Sequence, residues 1–133
     1  MAIGDVVIDT NAYAAFKRGE SAALSVVEKV NQILINPVVI AELLTGFSLG
    51  NRESRNIDEL KQFLANQNVV SVRIGYSTAE FYASIIKQLR KKGKPIPTND
   101  IWIGASALEY EANIFTFDRH FNDISGITIV GRK

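Results

Sequence analysis

Four acidic side chains stand within or beside apolar segments of the chain, where an acid is hard to explain as an ordinary surface residue. They are Asp9 after the run 6–8, Glu42 within 38–44, Asp100 ahead of 101–105, and Asp118 after 113–117. These runs contain no Lys or Arg, and a carboxylate that loses water is costly unless another group compensates its charge. If the fold brings the four acids together, a divalent cation is the natural compensation. We therefore interpret the chain as a metal-dependent enzyme.

The composition restricts which metal and which chemistry are available. The chain has no Cys, which excludes a disulfide framework, a thiolate zinc site and a Cys nucleophile. Its single histidine, His120, also excludes a His-rich transition-metal site. Any bound metal must therefore be held mainly by oxygen, which favours Mg²⁺, with Mn²⁺ as a substitute.

Length and hydropathy indicate a single domain without a membrane segment. A chain of 133 residues, 47% hydrophobic and 22% charged, can bury a core without disulfides. Lys and Arg number 15 against 14 acids, so the net charge alone says nothing about nucleic acid. The N-terminus lacks the features of a signal peptide, and no apolar stretch approaches the roughly 20 residues that cross a bilayer. We expect a cytoplasmic protein with no membrane partner.

Strand-like segments alternate with helical segments along the whole chain. Strands are predicted at 5–9, 33–35, 69–72, 113–117 and 127–130. Helices are predicted at 10–19, 21–32, 54–66 and 98–111, with others that start at 36–37 and at 77. We expect Ser77 to Glu80 to form a capping box and Thr98 to cap its helix. This alternation is typical of an α/β domain with a short, mostly parallel central sheet flanked by helices on both faces.

Such a sheet would bring the acids to one edge. Ligands bind outside the carboxyl ends of parallel strands, where Asp9 and Asp118 are predicted to lie. Asp100 lies in the first turn of one predicted helix and Glu42 one to two turns into another, so both acids would face the same crevice. Taken singly, Asp9 and Asp118 could instead be helix N-caps, and Asp100 could favour the positive end of its helix.

Other catalytic motifs are absent from the sequence. No GxxxxGK[ST] loop occurs, which argues against nucleoside triphosphate turnover. No GxSxG segment occurs, and a single His argues against Ser-His-Asp catalysis. Four carboxylates, in contrast, suit a bound Mg²⁺ that polarises a phosphoryl oxygen and activates water.

Four segments carry a resemblance to a known family. Residues 7–11 (VIDTN), 40–46 (IAELLTG), 97–105 (PTNDIWIGA) and 116–121 (TFDRHF) resemble the four signature segments of PIN-domain ribonucleases. The resemblance is greatest to the VapC-type toxins of bacterial and archaeal toxin–antitoxin pairs, and it covers nearly the whole chain in the expected order. It implies a single PIN-like domain over residues 1–133.

The resemblance also implies an activity and a role for each acid. The family consists of Mg²⁺- or Mn²⁺-dependent endoribonucleases that often cut tRNA or rRNA. By this resemblance, Asp9 and Asp100 are the principal metal-holding acids. Glu42 helps to complete the site, often through water, and Asp118 is the fourth and more variable acid. Two further polar residues match positions that orient these acids: Asn11 and Thr116.

The family's partners follow from the same resemblance. It implies an RNA substrate, a cognate antitoxin that holds the toxin inactive, and a homodimer. Tyr13, Phe16 and Phe47 on the early helices would then lie on surfaces that receive an antitoxin peptide or a second protomer. Gly104 stands where the family commonly has Ala, and Phe117 where a polar residue is frequent; neither change touches the carboxylates.

Two further features of the sequence leave alternatives open. The densest basic cluster consists of Arg90, Lys91, Lys92 and Lys94. It would either suit a helix C-terminus, which favours cations, or bind RNA phosphates beside the acidic crevice. His120 could shuttle a proton, although capping or packing of the last turn is the simpler interpretation.

Two other protein classes are compatible with clustered acids. A receiver-like regulatory domain binds Mg²⁺ and accepts a phosphoryl group, but it usually needs a Lys at a late strand end. No Lys lies between Lys94 and Lys133. A catalytically silent PIN-fold binding module would keep the fold without the chemistry, and the intact set of four acids argues against it.

Overall fold

Short apolar segments form a five-stranded sheet, which helices surround. The computed structural model describes residues 2–131. The strands are β1 (Gly4–Ile8), β2 (Val30–Ile35), β3 (Val69–Ser71), β4 (Asn113–Phe115) and β5 (Ile129–Val130). The helices are α1 (Thr10–Lys17), α2 (Ser21–Lys29), α3 (Pro37–Ser48), α4 (Glu53–Ala65), α5 (Tyr76–Lys92) and α6 (Thr98–Glu109), with a 3₁₀ helix at His120–Asp123. Within residues 2–131, none of these helices is both long and apolar enough to cross a membrane.

The sheet has the strand order β3-β2-β1-β4-β5, and all its pairings in the described residues are parallel. Val6 to Ile8 of the central strand are fully buried, as expected for a strand covered on both faces. Right-handed crossovers, the rule for parallel strands, would place α1 to α4 on one face and α5 and α6 on the other. The predicted α/β fold is confirmed. The strand order reverses between β1 and β4, and such a switch point is where parallel sheets bind ligands.

Asn36 connects the two helices that carry acids. It caps α3, since its Oδ1 accepts the Val39 amide at 3.1 Å. Its side-chain amide donates to Ser106 Oγ of α6 at 3.0 Å, and the residue is fully buried. The position of Glu42 on α3 is therefore tied to that of Asp100 on α6.

Two helix starts differ from the predictions. The predicted capping box from Ser77 to Glu80 is wrong, because α5 begins earlier, at Tyr76. The Gly75 amide ahead of this helix donates to Thr78 Oγ1 at 3.0 Å. Thr98 is the first residue of α6 rather than its cap, because the chain enters this helix at Pro97 without a side-chain cap.

The segments beside the strands also differ from the predictions. α2 ends at Lys29 rather than at residue 32, because residues 30–32 extend β2. β4 ends at Phe115 rather than at residue 117, because the Asp118 amide donates to Thr116 Oγ1 at 2.9 Å and the chain leaves the sheet. The 3₁₀ helix was not predicted.

The chain after β4 packs on α6 through buried apolar side chains. Phe121 and Ile124 are 1% and 3% exposed. A Cβ added at Gly104 of α6 would lie 2.9 Å from Ile124 Cδ1. The glycine at this position, where the related family commonly has Ala, therefore makes room for Ile124.

Candidate functional site

Asp9 lies at the carboxyl edge of the sheet, between the end of β1 and the start of α1. Its Oδ1 accepts the Ala12 amide at 2.8 Å, so the side chain caps α1. Its Oδ2 accepts a short hydrogen bond from the Thr116 hydroxyl, which lies just beyond β4. Only 4% of Asp9 is exposed. Asp9 can therefore cap α1 and also bind a metal ion, since each of its carboxylate oxygens has a further lone pair.

Burial and the neighbouring acids make Asp9 harder to ionise. Burial raises the pKa of Asp9 from 3.8 to about 6, although the hydrogen bonds from Thr116 and Ala12 oppose the shift. The negative charges of Asp100 and Asp118 raise the pKa further. These carboxylates are therefore close enough to repel one another, and a divalent cation between them would remove the repulsion.

A second group of side chains surrounds His120 at the start of the 3₁₀ helix. Its Nδ1 lies 2.7 Å from Asp100 Oδ2 and 3.3 Å from Asp118 Oδ1. The His120 amide donates to Asp118 Oδ1 at 2.9 Å, which fixes the backbone at this point. Because Thr116 Oγ1 donates to Asp9 and accepts the Asp118 amide, one hydroxyl links the two groups of acids.

The ring of His120 contacts two acids and changes the ionisation of one of them. Burial raises the pKa of Asp100, and the hydrogen bond and charge of His120 oppose this shift, while Asp118 and Glu42 add to it. The hydrogen bond to Asp100 raises the pKa of His120, against a smaller opposing effect of burial. The interpretation of His120 as a cap or packing residue is wrong, because its ring faces the acids rather than the core.

Glu42 approaches the same place from α3. Its Oε1 accepts the Thr10 hydroxyl at 2.7 Å, and its Oε2 accepts the Asn99 side-chain amide at 3.2 Å. Its helix neighbours Ala41 and Leu44 are exposed whereas Leu43 is buried, so one side of α3 faces solvent here although its residues are apolar. The two hydrogen bonds supply the partners that a glutamate in an apolar helix requires.

One open cleft of about 410 Å³ contains all four acids. Its lining residues are Asp9, Thr10, Asn11, Glu42, Pro97, Thr98, Asn99, Asp100, Ile103, Asp118 and His120. Of the residues that the structure describes, no Lys or Arg lines this cleft. Asn11 lies on its wall, and Thr116 is fully buried behind Asp9. The catalytic and metal-binding roles of these residues stay predictions.

Sequence reasoning missed Thr10 and Asn99 as site residues. Each stands directly beside an acid that was identified, Asp9 and Asp100 respectively, and each donates a hydrogen bond to Glu42. A polar residue next to a candidate acid was the available signal. It could not be interpreted without the fold, because Glu42 is distant in the sequence.

The basic cluster lies elsewhere. The structure places none of Arg90, Lys91, Lys92 and Lys94 among the described residues that line the acidic cleft. Lys92 Nζ donates to the Asp123 carbonyl at 2.8 Å, and Lys94 Nζ lies 3.7 Å from Asp123 Oδ1. These two lysines thus hold the chain after β4 against the end of α5. A contact of the cluster with RNA stays a prediction.

The donor atoms of the cleft fit a divalent cation. Asp100, Asp118 and His120 each offer one ligand atom, and these atoms lie within 4.8 Å of one another. Asp9 adds a desolvated carboxylate that senses the charges of Asp100 and Asp118. Carboxylate oxygens are the ligands that Mg²⁺ and Mn²⁺ prefer in proteins.

Comparisons with known proteins identify the family. The sequence model described as PIN domain matches residues 6–127. Ribonuclease VapC1 of Rickettsia felis is 28% identical over 127 residues, which cover 94% of each chain. VapBC2 from Rickettsia felis, bound to a DNA fragment from its promoter, has a TM-score of 0.81 at 22% identity, over 94% of this chain and 96% of that chain. DNA-bound VapBC from Salmonella typhimurium has a TM-score of 0.81 at 21% identity, over 97% of each chain.

The match over residues 6–127 shows that the chain belongs to the PIN domain family. This confirms the family expected from the four signature segments.

Proposed function

We propose that this chain is a Mg²⁺- or Mn²⁺-dependent endoribonuclease, the toxin of a type II toxin–antitoxin pair, which acts in the cytoplasm on tRNA or rRNA. The observation that carries the proposal is the gathering of Asp9, Glu42, Asp100 and Asp118 in one open cleft of a PIN-domain chain. The relative named Ribonuclease VapC1, which is similar over 94% of both chains, supports the activity.

The acids would divide the work of binding the cation. Asp9, Asp100 and Asp118 would hold it directly, and Glu42 would complete the site through water. The chemistry that such a cation supplies when bound is polarisation of a phosphoryl oxygen and activation of water. This chemistry needs no 2′-hydroxyl and leaves a 5′-phosphate on the RNA.

The remaining residues of the cleft would orient these acids and the substrate. The Ala12 amide and the Thr116 hydroxyl hold both oxygens of Asp9, and Thr10 holds one oxygen of Glu42. Both acids therefore enter the reaction with fixed orientations, which avoids a reorganisation cost. Asn11 on the cleft wall offers a side-chain amide to RNA phosphate oxygens.

The proposal is tested by sequencing RNA ends from cells that express the wild type or Asp9→Asn. We expect new 5′-phosphate ends, concentrated at a few positions in tRNA or rRNA, in the wild type alone. Asp58→Asn is the matched control, because Asp58 is exposed on α4 and lies outside the cleft. Identical end profiles for the wild type and Asp9→Asn would contradict the nuclease assignment.

The antitoxin contact is proposed at a second depression, between α1, α3 and α4. The structures that match this chain include VapBC complexes, which supports a protein partner. Tyr13 and Phe47 line the depression, with Lys17, Arg18 and Glu59 beside them. Within residues 2–131 the buried Tyr13 hydroxyl has no hydrogen-bond partner. An apolar floor with a charged rim suits an amphipathic peptide.

This contact is tested by co-purification with the cognate antitoxin. Phe47→Asp should abolish co-purification and leave RNA cleavage intact, because Phe47 lies outside the acidic cleft. Leu49→Asp is the control, since Leu49 is 83% exposed and lines neither depression. Light scattering on the purified toxin tests the proposed homodimer.

A receiver-like phosphoacceptor is disfavoured by two observations. The chain belongs to the PIN domain family, and no Lys from the described residues lines the acidic cleft. A stable phosphoryl adduct after incubation with acetyl phosphate would reverse this conclusion.

A further inference from the structure

The ring of His120 lies close enough to two acids to bind the same metal ion as they would. Its Nδ1 lies 2.7 Å from Asp100 Oδ2 and 3.3 Å from Asp118 Oδ1. Cis ligands of an octahedral ion with bonds of about 2.1 Å are separated by about 3 Å. The two separations from Nδ1 are thus close to that value, and all three atoms lie within 4.8 Å of one another.

We propose that His120 supplies a nitrogen ligand to the cation and that this nitrogen makes the site favour Mn²⁺ over Mg²⁺. The inference rests on the proposed metal-dependent function and adds a residue and a metal preference to it. Imidazole suits first-row transition metals, whereas Mg²⁺ prefers a shell of oxygen atoms alone. Mn²⁺ is a first-row transition metal and shares the carboxylate preference of Mg²⁺, so the added nitrogen is the feature of this site that would favour Mn²⁺.

The backbone around His120 supports a fixed ligand position. The His120 amide donates to Asp118 Oδ1 at 2.9 Å, so the two residues keep their relative placement. The next residue, Phe121, is 1% exposed and anchors the segment in the core. The side chain of His120 is itself 48% exposed, so an ion can reach its ring from solvent.

Ligation exchanges one partner of His120 for another. Nδ1 coordinates through its lone pair, so a proton on Nδ1 is released to solvent from the protonated ring or moves to Nε2 in the neutral ring. Asp100 and Asp118 lose their hydrogen bond and ionic contact with the ring and gain the divalent charge instead. The cation brings two positive charges to the three carboxylates proposed to hold it, whereas a protonated ring brings one.

The decisive measurement is pulsed electron paramagnetic resonance of the tag-free protein loaded with Mn²⁺. His120 is the single histidine of the chain, so a modulation from coordinated imidazole nitrogen has one possible source. We expect a ¹⁴N modulation in the wild type that changes to the ¹⁵N pattern after selective labelling of histidine. The modulation should be absent in His120→Gln.

Binding constants for each ion provide the second measurement. Calorimetric titration should show that His120→Gln weakens Mn²⁺ binding about tenfold or more, on the scale known for groups that support metal ligands. Mg²⁺ binding should change less, so the ratio of the two constants should fall. Circular dichroism of the metal-free variant checks that the fold is retained, and the wild-type resonance spectrum decides the matter even if this variant does not fold.

The outcomes separate this inference from the proposed function. Mn²⁺ that binds the wild type without nitrogen modulation would overturn the role of His120 and leave the carboxylate site standing. Tighter binding of both ions by His120→Gln would show that the ring competes with the ion, and would also overturn it. A wild type that binds neither ion would remove both the inference and the proposed metal-dependent nuclease.

Discussion

The two sides of the acidic cleft are built in different ways. The first side carries Asp9 and Glu42, which regular elements hold at the end of β1 and on α3. The second side carries Asp118 and His120, which lie between β4 and the first residue of the 3₁₀ helix and depend on hydrogen bonds for their position. Asp9 is 4% exposed, whereas the His120 side chain is 48% exposed. The comparison indicates a first side that the core holds in place and a second, more exposed side that local hydrogen bonds hold in place.

The largest expected effects on RNA cleavage come from two separate variants, each of which removes one acid from one side of the cleft. Asp9→Asn should lower RNA cleavage by about 10³-fold, since a metal site contributes several kcal/mol and about 1.4 kcal/mol corresponds to tenfold. Asp118→Asn should lower it by only about 10- to 100-fold, because an Asn carbonyl can still accept the His120 amide and keep the segment in place. Initial rates on a labelled RNA measure both. Equal losses would contradict the difference between the two sides.

Thr116 forms hydrogen bonds to both sides of the cleft, so substitutions at this residue test how the two sides depend on each other. Its buried hydroxyl donates to Asp9 Oδ2 and accepts the Asp118 amide. Thr116→Val leaves both partners unsatisfied, so we expect a loss of about 2 kcal/mol in the free energy of unfolding together with lower activity. Thr116→Ser keeps the hydroxyl and is the matched control. Urea denaturation of the two variants decides, and equal midpoints would show that the hydroxyl is not the link.

The stability of the metal-free protein should fall as the pH rises from 5 to 8. The folded-state pKa of Asp9 is about 6, above its ordinary value of 3.8, so ionisation of Asp9 destabilises the folded protein. This penalty in the free energy of unfolding is absent below about pH 3.8 and complete above about pH 6. The full penalty is about 3 kcal/mol at 1.4 kcal/mol for each pKa unit, and roughly half of it develops above pH 5. The raised pKa of His120 acts in the same direction, since the stability that it contributes is lost as the pH rises through its folded value.

Denaturation in EDTA at the two pH values measures this dependence. Asp9→Asn should be more stable than the wild type at pH 8 and should show a weaker dependence on pH. Millimolar Mn²⁺ should flatten the wild-type curve, because a bound cation removes the repulsion between the acids. A wild type that is most stable at pH 8 without metal would contradict the crowding of the acids.

The smallest expected effect concerns the packing behind the second side. Gly104→Ala places a Cβ 2.9 Å from Ile124 Cδ1, which is the flexible end of its side chain. The gain of about 1 kcal/mol in helix propensity should roughly offset the overpacking, so stability should change by less than about 1 kcal/mol. Ile124→Val removes the contacting methyl group, and the double variant should be more stable than Gly104→Ala alone. Thermal melting of the three variants tests this compensation.

The first side of the cleft was largely predictable from the sequence. The apolar run before Asp9 and the Asn36–Pro37 helix start gave the correct order of strand and helix, and hence the placement of Asp9 and Glu42. Their convergence followed from the general rule for parallel sheets, because the carboxyl ends of the strands share one edge.

The second side was not predictable in the same way. Residues 113–117 have the pattern of a longer strand, but the hydrogen bond between Thr116 and the Asp118 amide ends β4 early. The orientation of His120 towards two acids depends on the turn that follows, which hydrophobic periodicity does not describe. The placement of Lys92 and Lys94 against Asp123 likewise arises from the tertiary packing of this segment.

The cap on α1 has a genetic consequence. Asparagine begins helices as well as aspartate does, and a single base transition converts one codon into the other at Asp9. Under the proposed function, a harmless but intact copy of the protein is therefore one mutational step away and would still bind the proposed antitoxin. Among survivors selected for tolerance of its expression, we expect Asp9→Asn to recur with normal protein levels, and immunoblots of sequenced survivors will show whether it does.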